Sequence, residues 1–296
     1  MLSFDAVSKS FGGRRVLDAL SFDVRPGELF GFCGANGAGK TTAMRIALGV
    51  LAADSGTVRF DGDEVDAHSR RRFGYMPEER GLYAKMTPLD QLAYFGRLSG
   101  LRPREAGQRA AEWIDRLGVV GGPKDPLEKL SLGNQQKVQL IAALIHDPSV
   151  LVLDEPFSGL DPVAVDAMAD VLLQRARDGV PVVFSSHQLD LVERLCDRVG
   201  ILRGGRLVAE GTVDELRGAA GPGRLRITVR DVPPQWARGL SGARVLAEKN
   251  GVTTLELESD RRAYDVLAEA QTVGRVQYFG RQEAGLGDIF REAVEA

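Results

Sequence analysis

Apolar and polar positions alternate over residues 2–7 (LSFDAV), and apolar positions recur at Val16-Leu17 and through Leu20–Val24. This pattern predicts an antiparallel meander at the start of the chain. Pro26-Gly27 then turns the chain into an unbroken apolar run, Leu29–Cys33, which reads as a buried strand. Two further runs, Val150–Leu153 and Val182–Ser185, are valine-rich and mostly apolar, as expected of parallel strands covered on both faces. Shorter strands are expected at Thr57–Phe60 after the turn Asp54-Ser55-Gly56, at Phe73–Met76, and at Asp197–Leu202 and Leu207–Ala209 around Arg203-Gly204-Gly205.

Helices are expected between these strands. Ala43–Leu48 is a good helix former directly after a glycine-rich turn. Thr87 caps a helix that opens on Pro88 and runs to about Ser99, and a second runs from about Pro103 to Leu117. That pair reads as an all-helical insert between α/β halves. Ser131 is a natural N-cap for a helix through Ile145, and Asp161-Pro162 opens another to about Arg177.

The pattern changes beyond residue 217. Gly218–Gly223 is linker-like in composition. After it come a strand (225–230), a short helix (234–240), a hairpin (244–248 and 252–258) turning on Asn250-Gly251, a helix (261–271), a strand (274–279) and a helix (286–294). This is the ferredoxin-like order, so a second, small α+β domain is expected over 224–296. The larger domain is expected over 1–217, with its helical subdomain at about 88–145.

Composition changes this picture little. An apolar content of 44% and a charged content of 27% over 296 residues are those of an ordinary globular protein. The net charge of −3 with interspersed signs gives no reason to expect a nucleic-acid partner. No apolar run is long enough for a membrane span, and the first residues lack a signal peptide's apolar core. Cys33 and Cys196 form no CxxC, and Cys33 is expected to be a small buried residue. These features point to the cytoplasm, with any membrane role acting through a partner.

The chemistry concentrates at Gly34-Ala35-Asn36-Gly37-Ala38-Gly39-Lys40-Thr41-Thr42, which satisfies G-x-x-x-x-G-K-[ST] between a strand and a helix. The glycines let successive backbone N–H groups converge on one anion, and the helix adds unpaired donors and its positive dipole end. Lys40 is placed to reach the β- and γ-phosphates, and the Thr41 hydroxyl to ligate Mg²⁺. A nucleoside triphosphate is therefore the expected ligand. Asp154-Glu155 end an apolar strand at the edge where open α/β sheets bind ligands. Beside a phosphate loop, Asp154 suits the metal shell and Glu155 suits polarising the attacking water. His187 follows another strand end, where a bond to the γ-phosphate or to that water is open to it. Phe11 is expected in the first loop, either packed or forming a platform for a purine.

Taken in order, the aromatic Phe11, the phosphate loop, LSLGNQQ, VLVLDEP, Ser158-Gly159-Leu160-Asp161 and Ser186-His187 resemble the ATP-binding subunit of ABC transporters over residues 1 to about 217. The resemblance implies a P-loop ABC-type ATPase core with an antiparallel β subdomain and a helical subdomain. It implies that Phe11 stacks on adenine, with Val16 beside the ribose, and that Asn36 through Thr42 hold the phosphates. It also implies that Ser131, Gly133 and Asn134 of the signature contact nucleotide bound to a second ATP-binding subunit, with Asp161 in the loop crossing that interface. The implied cofactors are ATP and Mg²⁺, and the implied partner is a transmembrane permease that holds the subunit at the inner face of the membrane.

Two positions depart from the family's usual pattern. The signature reads Leu-Ser-Leu-Gly-Asn, keeping Ser131 and Gly133, and Glu78 stands where a glutamine is usual. A carboxylate there can still give an oxygen to Mg²⁺, with an added charge. GYMPEERGLY, LSLGNQQK and the appended C-terminal domain look like the sodium-extrusion branch of bacterial exporters. Readings as a nucleic-acid or ribosome-directed ATPase, or as a nucleotide-binding regulator, fit less well. The chain has one ATPase half, no heptad run and no basic excess, and it keeps Lys40, Asp154, Glu155 and His187.

Overall fold

The computed structural model describes every residue except 80, 123, 220–223, 233, 234, 241, 250, 258, 260, 261, 283, 284 and 296. The chain divides into two compact units, Met1–Val213 and Asp214–Ala296.

In the first unit, β1 (Leu2–Phe11) and β2 (Arg14–Val24) form a hairpin closed by Gly12-Gly13, both at positive φ. Phe11 pairs with Arg14 and so ends the strand, rather than lying in a loop as expected from sequence. The two-residue glycine turn is tight enough to keep pairing up to its edge. β3 (Leu29–Gly34) leaves for a second sheet and is followed by α1 (Lys40–Ala47). β4 (Ser55–Phe60) and β5 (Asp63–Glu64) return to the first sheet, giving the order β2-β1-β4-β5.

The chain continues through β6 (Phe73–Met76), α2 (Pro88–Leu98), α3 (Pro103–Arg116), α4 (Leu132–Leu144) and β7 (Val150–Asp154). It then runs through α5 (Pro162–Arg177), β8 (Val182–Ser186), α6 (Leu189–Leu195), β9 (Arg198–Arg203) and β10 (Arg206–Gly211). The second sheet has the order β10-β9-β3-β8-β7-β6, parallel except for β10. Thr87 caps α2 through Asp90 N, as its position before Pro88 requires. Between the sheets Phe22 stacks on Phe4, with ring centroids 4.3 Å apart, and on Phe30 and Phe32. This aromatic column fixes β3, and with it the loop that β3 delivers.

The short helix α6 has no clear signal in the sequence, because seven residues hold barely two helical turns. It packs tightly on β3: a Cβ at Gly31 would lie 2.6 Å from Val192 Cγ1.

The second unit begins within α7 (Val213–Ala219), which occupies Gly218 and Ala219 of the expected linker. Asp214 and Glu215 at its start and Arg217 at its end suit the helix dipole. The rest of the expected linker, 220–223, lies outside the described residues. Next come β11 (Arg224–Arg230), a 3-10 turn at Trp236–Gly239, β12 (Ala243–Lys249), β13 (Val252–Leu257), α8 (Arg262–Val273), β14 (Arg275–Gln282) and α9 (Leu286–Glu295). The helix expected at 234–240 is only this 3-10 turn, on a short connection whose Pro233 and Pro234 lie outside the described residues. The β12–β13 hairpin forms, although its turn residue Asn250 is also outside them. The sheet is antiparallel in the order β12-β13-β11-β14, the split βαβ arrangement expected. Leu225, Ile227 and Val229 of β11 bury one face with Leu255, Leu257 and the α8 residues Ala263, Val266 and Ala270.

Candidate nucleotide site

The turn after β3 is possible only with glycine at two of its positions. A Cβ at Gly34 would lie 2.7 Å from the Leu202 carbonyl of β9. Gly39 has φ 113°, and a Cβ there would meet Leu17 Cδ2 at 2.7 Å and the Val16 carbonyl at 2.8 Å. The loop is thus pressed against its neighbours and curls around Lys40, which is buried and donates to the Gly34 carbonyl at 2.7 Å. Lys40 also opens α1, whose first turn carries no acidic residue to occupy the N–H groups there.

The ends of β7 and β8 face this loop. Their parallel register sets Asp154 beside Ser185. Asp154 is 1% exposed, and its Oδ1 accepts the Ser185 hydroxyl at 2.6 Å. Its Oδ2 is buried without a hydrogen-bond partner. Glu155 follows at φ 51°, its N–H donating to Ser185 Oγ at 2.9 Å. Glu155 Oε2 lies 2.9 Å from His187 Nδ1, and the imidazole is largely exposed. A cavity of about 250 Å³ collects Val16, Asn36 through Thr42, Glu78, Asp154 and Glu155 around one space.

These groups suit a magnesium ion carried in by a nucleotide. Mg²⁺ keeps waters and phosphate oxygens and takes only one or two protein carboxylates. The unpartnered Asp154 Oδ2 would suit one such oxygen, and Thr41 and Glu78 line the same cavity. Among the described residues no group of three or more His, Cys, Asp or Glu side chains forms a cage for a metal.

The remaining sequence-selected residues lie elsewhere. Phe11 ends its strand 47% exposed, with Lys9 Nζ 5.6 Å from its ring centre, and does not line the cavity. Ser131 is exposed at the N-cap of α4, accepting from Asn134 N and, at 2.9 Å, from Asn134 Nδ2. The Asn134 side chain is further engaged by the Val120 N–H at 2.9 Å, so both ends of its amide are held within the chain. Asp161 caps α5 through Ala164 N, and Gly133 faces Leu160 and Ala164. The two caps are therefore neighbours, and their residues do not line the cavity around Lys40.

Three residues that sequence reasoning passed over are also engaged here. Ser185 bridges Asp154 and Glu155, Gln136 donates to the Pro156 carbonyl at 3.0 Å, and Gln139 donates to the Pro77 carbonyl at 2.5 Å. The only hint in the sequence was polar residues at strand-end or helix positions that fold into the interior. Cys33, expected to be a packing residue, has its thiol pushed up to about 12 by burial, so it stays protonated and inert.

Comparison with known proteins shows the family to which this chain belongs. Residues 17–158 match the family model described as ABC transporter, and residues 211–294 match one described as ATP-binding protein DrrA1-3-like, C-terminal domain. The uncharacterized ABC transporter ATP-binding protein YhaQ of Bacillus subtilis is 38% identical over 297 residues, covering 100% of this chain and 99% of that protein. The linearmycin resistance ATP-binding protein LnrL of the same organism is 34% identical, covering 87% of this chain and 83% of its own length. A solved structure of an ATP-binding subunit of an ABC transporter superposes with a TM-score of 0.69 at 30% identity, over 75% of this chain and 93% of that one. With a phosphate loop, an acid pair and two capped helices in this arrangement, and full-length likeness to YhaQ, this chain belongs to the ATP-binding proteins of ABC transporters.

Proposed function

We propose that this protein hydrolyses Mg²⁺-ATP at a site shared between two ATP-binding subunits and so drives export through a separate membrane permease. The single observation that carries the reading is the pairing of roles at the end of β7. Asp154 lines the cavity and keeps one buried oxygen unpartnered, while Glu155 holds its carboxylate beside His187.

In this reading Asn36 through Thr42 cradle the phosphates, and Lys40 leaves the Gly34 carbonyl to neutralise the β- and γ-oxygens. When bound, Mg²⁺ offsets phosphate charge and orients the leaving group. Thr41, Asp154 and Glu78, which line the cavity, would hold it. Glu155 accepts a proton from the attacking water, and His187 fixes the Glu155 carboxylate. Phe11, with Val16, takes the adenosine. Ser131, Gly133 and Asn134, with Asp161 beside them, close over nucleotide bound to the second subunit. Their position away from the Lys40 cavity, with Ser131 and Asp161 exposed and Gly133 and Asn134 half-buried, supports that use. For Asn134 it requires release from Val120.

No helix among the described residues is long and apolar enough to cross a membrane, so transport requires a partner that does. The chain then works on the cytoplasmic face of the membrane, bound to its permease. Export, rather than import, follows the Nod factor export ATP-binding protein I of Paraburkholderia xenovorans, which is 35% identical over 73% of this chain. Residues 224–296 regulate the ATPase or stabilise its dimer, since the phosphate loop, acid pair and histidine all precede them.

Glu155→Gln tests the assignment. Loss of a general base lowers turnover about 10²–10⁴-fold. ATP affinity should stay native, because the phosphate cradle is untouched. Near-native steady-state hydrolysis at saturating Mg²⁺-ATP removes Glu155 from the role.

A further inference from the structure

We propose that Ser185 is the positioning residue that assigns Asp154 and Glu155 their separate duties. Its single hydroxyl acts twice. The proton goes to Asp154 Oδ1 at 2.6 Å, and the oxygen accepts the Glu155 N–H at 2.9 Å. An ionised carboxylate has no proton to donate and the amide N–H cannot accept, so the direction of both bonds is fixed.

The two bonds have different consequences. The first occupies one Asp154 oxygen and sets the carboxylate plane, leaving Oδ2 as the unpartnered one. The second holds the backbone of Glu155 at φ 51°, a conformation that side-chain-bearing residues rarely adopt. That backbone turn places the Glu155 carboxylate beside His187 instead of continuing along the strand. The parallel register of β7 and β8 brings Ser185 opposite Asp154, and it is fully buried. No water therefore replaces the hydroxyl without opening the sheet end. Ser185 is not among the residues that line the cavity, and it acts through its two partners. Alanine at this position leaves Asp154 Oδ1 and the Glu155 N–H without a partner, whereas threonine keeps the hydroxyl.

This inference rests on the ATPase reading above, and its test separates the two. Ser185→Ala and Ser185→Thr are made in the full chain beside Lys40→Ala. Binding of a fluorescent ATP analogue is titrated with and without Mg²⁺, and hydrolysis is measured at saturating nucleotide. Changes to groups that orient metal ligands typically cost about 10–100-fold in metal affinity or activity. The alanine variant should lose that much of both kcat and Mg²⁺ response, while binding Mg²⁺-free nucleotide within about twofold of native. The threonine variant should recover most of both. A native Mg²⁺ response and kcat in Ser185→Ala overturn the inference. So does a drop in melting temperature with the Mg²⁺ response unchanged in either variant, which assigns the hydroxyl to folding alone. So too does equal loss in both variants, which assigns the position to packing. If Lys40→Ala also binds the analogue natively, the nucleotide reading itself is at fault.

Discussion

The end of the parallel sheet and the sheet of the second unit are built from similar apolar residues but under different constraints. At the nucleotide site each position has its own requirement. Gly34 and Gly39 have no room for a Cβ, and Lys40, Asp154 and Ser185 are polar groups held in the interior. In the second unit one rule covers nearly everything. β11 and β13 alternate, burying Leu225, Ile227, Val229, Leu255 and Leu257, and Thr253 is the one buried polar residue among the described positions of those strands. A surface that performs chemistry is specified residue by residue, while a surface that only packs is specified by period and volume.

The contrast yields two predictions of large effect and one of small effect. The first is at Gly39. An alanine there is forced into a left-handed conformation against Leu17 and the Val16 carbonyl, and strain of this kind is of order 1–3 kcal/mol before the clash is counted. The loop should yield by opening, so ATP affinity should fall by at least about tenfold, the factor that 1.4 kcal/mol represents. Native affinity in Gly39→Ala, by isothermal titration, shows that the loop is not held as tightly as its contacts imply.

Next is Ile227→Ala in the second unit, which should cost about 2–5 kcal/mol of that unit's stability. A domain of this size has a marginal core, so the unit should melt early. Calorimetry should show a separate low-temperature transition, with ATP binding to the first unit unchanged. A loss of ATP binding at temperatures where the first unit is still folded shows that the accessory unit supports the nucleotide site directly.

The smallest effect concerns His146, at the end of α4. Its Nε2 lies 3.2 Å from the Phe73 carbonyl, its Nδ1 is buried without a partner, and burial lowers its pKa below the usual 6.5. The fold therefore favours the neutral ring. This contribution to stability is fully present above the unfolded pKa of 6.5 and is lost as pH falls toward the lower folded value. His146→Gln removes that titration, so its melting temperature should fall less than the native protein's between pH 7.5 and 5.5. Equal slopes in the two proteins dismiss His146 as the source.

Much of this architecture was legible in the sequence. The strands β3, β7 and β8 were apolar runs, the helices α2, α4 and α5 announced themselves by Thr87, Ser131 and Asp161, and the second unit by its changed rhythm. These signals are local, since a cap or an alternation is complete within about ten residues. Less legible was whatever depends on partners far along the chain. Phe11 read as a loop residue because its pairing to Arg14 depends on how tightly Gly12-Gly13 turn. α6 was missed because its burial against β3, not its own length, sustains it.

From the sequence alone came the phosphate loop between strand and helix, the acids at a strand's end, the order of motifs and the expectation of a second α+β domain. Those follow from backbone geometry and side-chain chemistry, which neighbouring residues settle among themselves. Tertiary structure alone decided which Asp154 oxygen is left unpartnered, that Ser185 holds both acids, and that Asn134 is held by Val120. Asp154 and Ser185 are 31 positions apart and meet only because β7 and β8 pair in one parallel register. A slip of one residue would turn each side chain to the opposite face of the sheet.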